Sequence, residues 1–194
     1  AALRLSNAAL DLTLHTADTA PAASRPFIDA ALANNGFLPN LIGVLANAPV
    51  AVETYFTVSG INARGSLSLA EREVVQITAA SVHGCDFCVA GHTAIALKKA
   101  GLERDLVRAL QERGSTGNPR FDALVAFTRA VILTRGNVAK GELADFLAAG
   151  FKEQQVLEVL LGISLATLCN FANNLAGTGI NPELQGFRPG ALES

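Results

Sequence analysis

The residues best suited to chemistry are Cys85, Cys88 and His92, which share the short string Cys85-Asp86-Phe87-Cys88-Val89-Ala90-Gly91-His92. On a helix each position advances about 100°, which places the two thiols and the imidazole within a sector of roughly 60° while Phe87 points elsewhere. Cys88 and His92 are one helical turn apart, so the imidazole can reach the thiol directly or through one water. Cys85 lies at or near the helix N-terminus, where unpaired N–H groups and the helix dipole favour thiolate over thiol. Two cysteines in CxxC spacing can also close a disulfide with little rearrangement. Together these features suit thiol redox catalysis.

Glu73 joins the set from the preceding helix. Its projection falls between Leu69, Ala80 and Ile77, so a carboxylate occupies the sector of the packing side chains. A buried carboxylate is costly without a partner. His92, or a water beside the cysteines, is the expected partner, and Glu73 can then accept a proton. Two bland readings compete with this one. A structural zinc site would need a fourth ligand such as His83, and closed sites usually show two paired ligand groups. The cysteines could also simply pack. His83 reads as a surface or capping residue and Cys169, in an apolar run, as a buried small hydrophobe.

Helices must position these groups. A helix from about Pro26 to Asn34 should stop at Asn35-Gly36, and Pro49 can open another running to about Ala63. Ser68-Leu69-Ala70-Glu71 forms a capping box for a helix from Leu69 to about Val82. His83-Gly84 interrupts, and Cys85 to about Ala100 follows. Asn118-Pro119 caps a long helix ending near Arg135-Gly136, and Gly150 separates Lys140 to Ala149 from Lys152 to Ala176. No alternating strand pattern is left, so the fold class is all-α. Glu71, Val74, Val75 and Ile77 find an echo in Glu153, Val156, Leu157 and Val159, and Cys85-Asp86-Phe87 in Cys169-Asn170-Phe171. Either a duplicated helical hairpin or chance likeness between apolar helices would produce this.

At 194 residues the chain suits a single domain. Residues 1–25 read as an N-terminal segment and linker, and residues 26–194 as the helical domain. Hydrophobic residues make up 50% and aromatics 6%, with no Trp, so the core should rest on Ala, Leu, Val and Ile rather than rings. A net charge of -2 with scattered basic residues argues against nucleic acid. Mean hydropathy is +0.34, but the longest uncharged apolar stretch, Val159 to Cys169, is short of the roughly 18–20 residues a membrane span needs. Burial in a core or subunit interface accounts for the hydrophobicity, and a homo-oligomer is expected. Residues 1–26 show no secretory signal, and three cysteines fit a reducing cytoplasm better than a disulfide scaffold.

Glu73 followed twelve residues on by Cys85-x-x-Cys88-x-x-x-His92 resembles the motif of the alkylhydroperoxidase D-like (AhpD-like) branch of the carboxymuconolactone decarboxylase family. The likeness extends to Leu38-Pro39-Asn40, Ala48-Pro49, Ala149-Gly150-Phe151, Asn170 and Asn173. It implies an all-helical fold that assembles as a trimer or hexamer and works without a cofactor or metal. It further implies that Cys88 attacks a peroxide, Cys85 resolves the product, and Glu73 with His92 relays protons. An external dithiol or a lipoyl-type group would restore the thiols, and electrons could pass onward from them to a peroxiredoxin. Phe87 stands where the founding pattern carries a further histidine, which implies a shorter or rerouted relay.

Two other functions remain open at this point. The wider family includes enzymes that decarboxylate lactones, a reaction that needs acid/base groups and a carboxylate pocket rather than a thiol pair. A non-catalytic helical protein could instead use the cysteines as a redox or metal switch.

Overall fold

The computed structural model describes residues 10–193. Residues 1–9, which open the N-terminal segment and fall within the stretch read as lacking a secretory signal, lie outside the described residues, as does residue 194. The described chain holds helices α1 (Arg25–Asn35), α2 (Asn40–Leu45), α3 (Pro49–Asn62), α4 (Leu69–His83), α5 (Asp86–Lys98), α6 (Arg104–Glu112), α7 (Pro119–Thr134), α8 (Lys140–Ala148) and α9 (Glu153–Ala176). Short 3-10 segments precede α1 and follow α9, at Ala22–Ser24 and Pro182–Phe187. No strand occurs among the described residues, and the all-α reading holds.

The boundaries follow local chemistry. Gly36, at φ 74°, ends α1 in the left-handed region. At the start of α4, the Glu71 N–H donates to Ser68 Oγ at 3.1 Å, and the Ser68 N–H donates to Glu71 Oε1 at 2.9 Å. The capping box expected from sequence is therefore complete. Asn118 Oδ1 accepts from the Arg120 and Phe121 N–H groups, with Pro119 behind it.

Two helices are additions to the sequence reading. In α2 all of Leu41–Leu45 are buried, so the sequence shows no polar face to reveal its period. In α6, nine residues long, Val107 and Leu110 face the core, but Glu103 supplies no side-chain cap.

The duplicated hairpin is not formed. Gly84, at φ 68°, breaks the chain between α4 and α5, whereas α9 runs unbroken through Cys169. Even the matching positions differ, for Val75 is 1% exposed and Leu157 is 67% exposed.

Rings also matter more to the core than composition implied. Phe127, Phe146 and Phe151 stack with centroids 4.3 and 4.4 Å apart, and the Arg120 guanidinium lies 3.8 Å over Phe151. This stack of three rings sits in one half of the core with Val74, Ile77, Leu124 and Val159.

Helix α9 runs on beyond Cys169, because Asn170, Asn173 and Asn174 add no charge and remain helical. By length and composition it could cross a membrane, which corrects the expectation drawn from Val159 to Cys169. One face is nevertheless buried, packing on α2, α3, α4, α5 and α7, while Leu157, Leu160, Phe171 and Leu175 face outward. Gly162 allows the approach to α4, since a Cβ there would stand 3.2 Å from Val75 Cγ1.

Helices α4, α5 and α9 thus form the frame of the second half of the core, which holds Cys85, Cys88 and Cys169 together with Leu165 and Ile42. A polar lock closes its wall. The Asn40 N–H donates to Asn181 Oδ1 at 2.8 Å, and Asn181 Nδ2 donates to the Leu38 carbonyl at 3.0 Å. This is the structural role of Leu38-Pro39-Asn40. Gln111 Nε2 holds the C-terminal 3-10 segment against α5 through Thr93 Oγ1 and the Phe187 carbonyl.

Candidate active site

Gly84 turns the chain so that Cys85 becomes the N-cap of α5, and the Cys88 N–H donates to Cys85 Sγ at 3.3 Å. Both cysteines are buried and free. One turn further along α5, His92 Nδ1 lies 2.7 Å from Glu73 Oε2 on α4. Glu73 is 6% exposed, so the carboxylate that the helix projection put among packing side chains is indeed buried. The expected partner is its actual one.

The two thiols differ in acidity. A hydrogen bond from Cys88 lowers the Cys85 pKa most; burial opposes this, and the Cys88 N–H, the Asn173 amide and the His92 charge assist. Cys88 moves the other way, because its proton is held toward Cys85 and burial disfavours its charge. The resting thiolate therefore belongs on Cys85, as a helix N-cap favours. Burial pulls the His92 pKa down, but the charge and hydrogen bond of Glu73, with help from Cys85, outweigh burial and raise it.

A half-open cavity of about 640 Å³ adjoins these groups, with Cys88 and His92 in its wall and Cys85 behind. Phe87 also lines it, contrary to the expectation that this ring points elsewhere. The cavity wraps around α5 from Phe87 through Cys88 and Gly91 to Ile95, so neighbouring faces of the helix share it. Cys169 is buried as expected, its pKa pushed up to about 12 by burial with a contribution from Cys85, yet it too borders the cavity. His83 stays apart, its Nδ1 3.1 Å from Asn170 Oδ1 and its ring against Phe171 at 4.8 Å. Among the described residues no group of three or more His, Cys, Asp or Glu side chains could hold a metal ion.

Two residues of the site were not assigned roles from sequence. Tyr55 of α3, the one tyrosine of the chain, lines the cavity with Cys88 and His92. Burial, reinforced by Cys169, Cys88 and Glu73, raises its pKa, so the phenol keeps its proton and can donate. Asn173 Nδ2 lies 3.2 Å from Cys88 Sγ and 3.8 Å from Cys85 Sγ. Its place in the likeness was visible, but not its contact. An asparagine in an otherwise apolar helix was the available signal, because a buried amide requires partners.

This arrangement offers a thiolate with a neighbouring thiol, a carboxylate–imidazole pair for proton movement, and a cavity wide enough for an organic molecule. Residues 49–130 match the model of the Carboxymuconolactone decarboxylase family. A peroxidase-related protein with an alkylhydroperoxidase AhpD core from Ralstonia eutropha JMP134 superposes with a TM-score of 0.80 at 20% identity, covering 90% of this chain and 93% of that one. A peroxidase-related protein from Silicibacter sp. TM1040 gives 0.79 at 18% identity, covering 95% and 98%. A cysteine-to-alanine variant of the debrominase Bmp8, in complex with 2,3,4-tribromopyrrole, gives 0.71 at 19% identity, covering 84% and 87%. At these identities the structural likeness is one of fold. No curated protein sequence matches. The resemblance to the AhpD-like branch of the family is borne out at the level of the all-helical fold, and the family model matches residues 49–130.

Proposed function

We propose that this chain is a thiol-dependent peroxidase that reduces organic hydroperoxides through Cys85 and Cys88, with Glu73 and His92 moving protons. The observation that carries this reading is the pair of free thiols beside a cavity, backed by the 2.7 Å Glu73–His92 contact. Cys88 is the attacking residue on grounds of access, since it borders the cavity and Cys85 does not.

Cys85 thiolate takes the Cys88 proton. Cys88 thiolate then attacks the terminal peroxide oxygen, the O–O bond breaks, and the alkoxide takes a proton to leave as an alcohol. Cys88 is now a sulfenic acid. Cys85 displaces its hydroxyl as water, and a disulfide forms. Two electrons pass from the thiols to the peroxide, and an external dithiol of lipoyl type returns them by exchange. His92, held by Glu73, and the protonated Tyr55 are the candidate proton donors to the alkoxide. A cytoplasmic setting would keep the thiols reduced between turnovers.

Purified protein supplied with an organic hydroperoxide and a dithiol should consume peroxide, and Cys88→Ser should abolish turnover. Full activity in that variant would sink the assignment. A second reading is reductive dehalogenation of an aromatic ring, favoured by the rings of Phe37, Phe56 and Phe87 in the cavity wall and by the tribromopyrrole ligand of the Bmp8 variant. The same dithiol would replace carbon-bound halogen by hydrogen and release halide. Halide release from a bromoarene in the absence of peroxide distinguishes it. Lactone decarboxylation, the third alternative, would survive full alkylation of the thiols.

A further inference from the structure

Three asparagines interrupt the apolar sequence of α9, and two of them fasten that helix to the end of α4. Asn170 Oδ1 lies 3.1 Å from His83 Nδ1, and Asn174 Nδ2 donates to the His83 carbonyl at 2.8 Å. Asn173 has no such fastening. It is 3% exposed, its Nδ2 contacts the two sulfurs, and its Oδ1 has no hydrogen-bond partner among the described residues. A buried amide with an orphaned oxygen is costly, and a leucine of similar size would avoid that cost. The stabilisation that Asn173 provides must therefore lie at sulfur.

Access and resting charge point to different sulfurs. The N-cap position and the Cys88 N–H at 3.3 Å favour charge on Cys85 Sγ, whereas the cavity reaches Cys88. Attack from the cavity side requires the proton on Cys88 Sγ to pass to Cys85 Sγ, which leaves the negative charge on Cys88. At that moment Cys88 Sγ no longer has a thiolate neighbour, and its nearest fixed donor is the Asn173 amide at 3.2 Å. The same amide is 3.8 Å from Cys85 Sγ, so it favours charge on Cys88 over charge on Cys85.

We propose that Asn173 is a positioning residue that stabilises the thiolate on Cys88 Sγ by donating its amide hydrogen to that sulfur, drawing the charge from Cys85 toward the cavity. This rests on the peroxidase reading for its use in turnover, but the charge preference is a property of the thiols alone. Hydrogen bonds to charged groups are stronger than neutral ones, and their loss corresponds to about one pKa unit or more, or about tenfold in thiolate population below the midpoint.

The test isolates each thiol. Alkylation by iodoacetamide is followed against pH, peptide by peptide in the mass spectrometer, for Cys88 in a Cys85→Ser chain and for Cys85 in a Cys88→Ser chain. Adding Asn173→Leu should raise the Cys88 midpoint by about one unit and slow its alkylation about tenfold below that midpoint, while the Cys85 midpoint moves much less. Asn173→Gln should restore part of the Cys88 shift. Circular dichroism and thermal melting establish that each variant is folded, and Asn173→Ala decides the question where Asn173→Leu does not fold. An unmoved Cys88 midpoint in a folded variant, or equal shifts at both cysteines, overturns the proposal. No peroxide is used, so a protein that fails to reduce peroxides yet shows the Cys88 shift refutes the peroxidase reading and leaves this inference standing.

Discussion

His92 Nδ1 lies 2.7 Å from Oε2 of Glu73, a contact that joins α5 to α4 beneath the wall of the cavity. Burial alone would depress the imidazole pKa, and the carboxylate reverses that tendency. Each residue thereby makes the other's burial tolerable. The pair can hold a proton close to Cys88, with Glu73 buried and His92 partly exposed in the cavity wall.

Glu73→Gln keeps the shape and removes the charge. With burial then unopposed by the carboxylate charge, the His92 pKa should fall, and an imidazole titration by NMR would show it. Peroxide turnover should drop by about a hundredfold, the usual scale of a lost proton-transfer group. The folded His92 pKa lies above its ordinary value of 6.5, so its stabilisation is complete below about 6.5 and fades as pH rises through the folded value. Glu73→Gln should reverse that dependence, because an imidazole whose pKa is depressed by burial loses stability as pH falls, as chemical denaturation at a series of pH values would reveal.

The division of labour between the cysteines can be read from a single turnover. With Cys85→Ser, one equivalent of peroxide should be consumed and then no more, leaving a sulfenic acid on Cys88 that a dimedone-type probe captures. Cys88→Ser should show no such burst. A probe adduct on Cys85 in the Cys88→Ser chain, formed at the native rate, would reverse the roles.

Where local chemistry decides, the sequence was readable. Ser68 and Glu71 announced the start of α4, Gly84 its end, and the spacing of Cys85, Cys88 and His92 their shared helix. Even the burial of Glu73 followed from its position among apolar neighbours. What stayed hidden depends on contacts distant in the chain. Asn173 meets Cys88 from a helix 85 positions away, and no local pattern selects Asn173 over Asn170 or Asn174 for that contact. Tyr55 reaches the cavity because α3 packs against this half of the core. Phe87 was misjudged for a related reason. A projection around one helix fixes directions from its axis, but the extent of the neighbouring cavity depends on what the other helices leave open.

Tyr55 supplies a sharper test of the proton path. Its phenol should donate to the departing alkoxide, so Tyr55→Phe should lower kcat about tenfold while leaving cysteine alkylation by iodoacetamide nearly unchanged. General acid groups contribute about a hundredfold or more, and the smaller loss expected here reflects the second donor, His92. A variant with full turnover would leave the His92–Glu73 pair as the remaining proton source. Slower alkylation would instead mean that the hydroxyl acts on the sulfur.

Glu71 governs stability without entering the chemistry. Its Oε1 accepts the Ser68 N–H, and its Oε2 receives Arg120 Nε at 2.8 Å while the guanidinium lies over Phe151. One 7% exposed carboxylate thus completes the cap of α4 and anchors the cation that covers the phenylalanine stack. Glu71→Ala removes both interactions and leaves Arg120 facing an apolar wall. A destabilisation of about 2–4 kcal/mol is expected, between the scale of a lost cap and that of a broken buried pair. Ser68→Ala, which removes the cap hydroxyl but preserves the ion pair, should cost about 1 kcal/mol. Urea unfolding measures both. Because Arg120 is partly exposed, water can recover some of its lost bonding, which places Glu71→Ala toward the lower end of the range. The folded fraction of Glu71→Ala should retain native thiol reactivity, since Glu71 and Glu73 lie two residues apart on α4 but serve different partners. A loss of peroxide turnover per folded molecule would show that the cap also sets the register of Glu73 against His92.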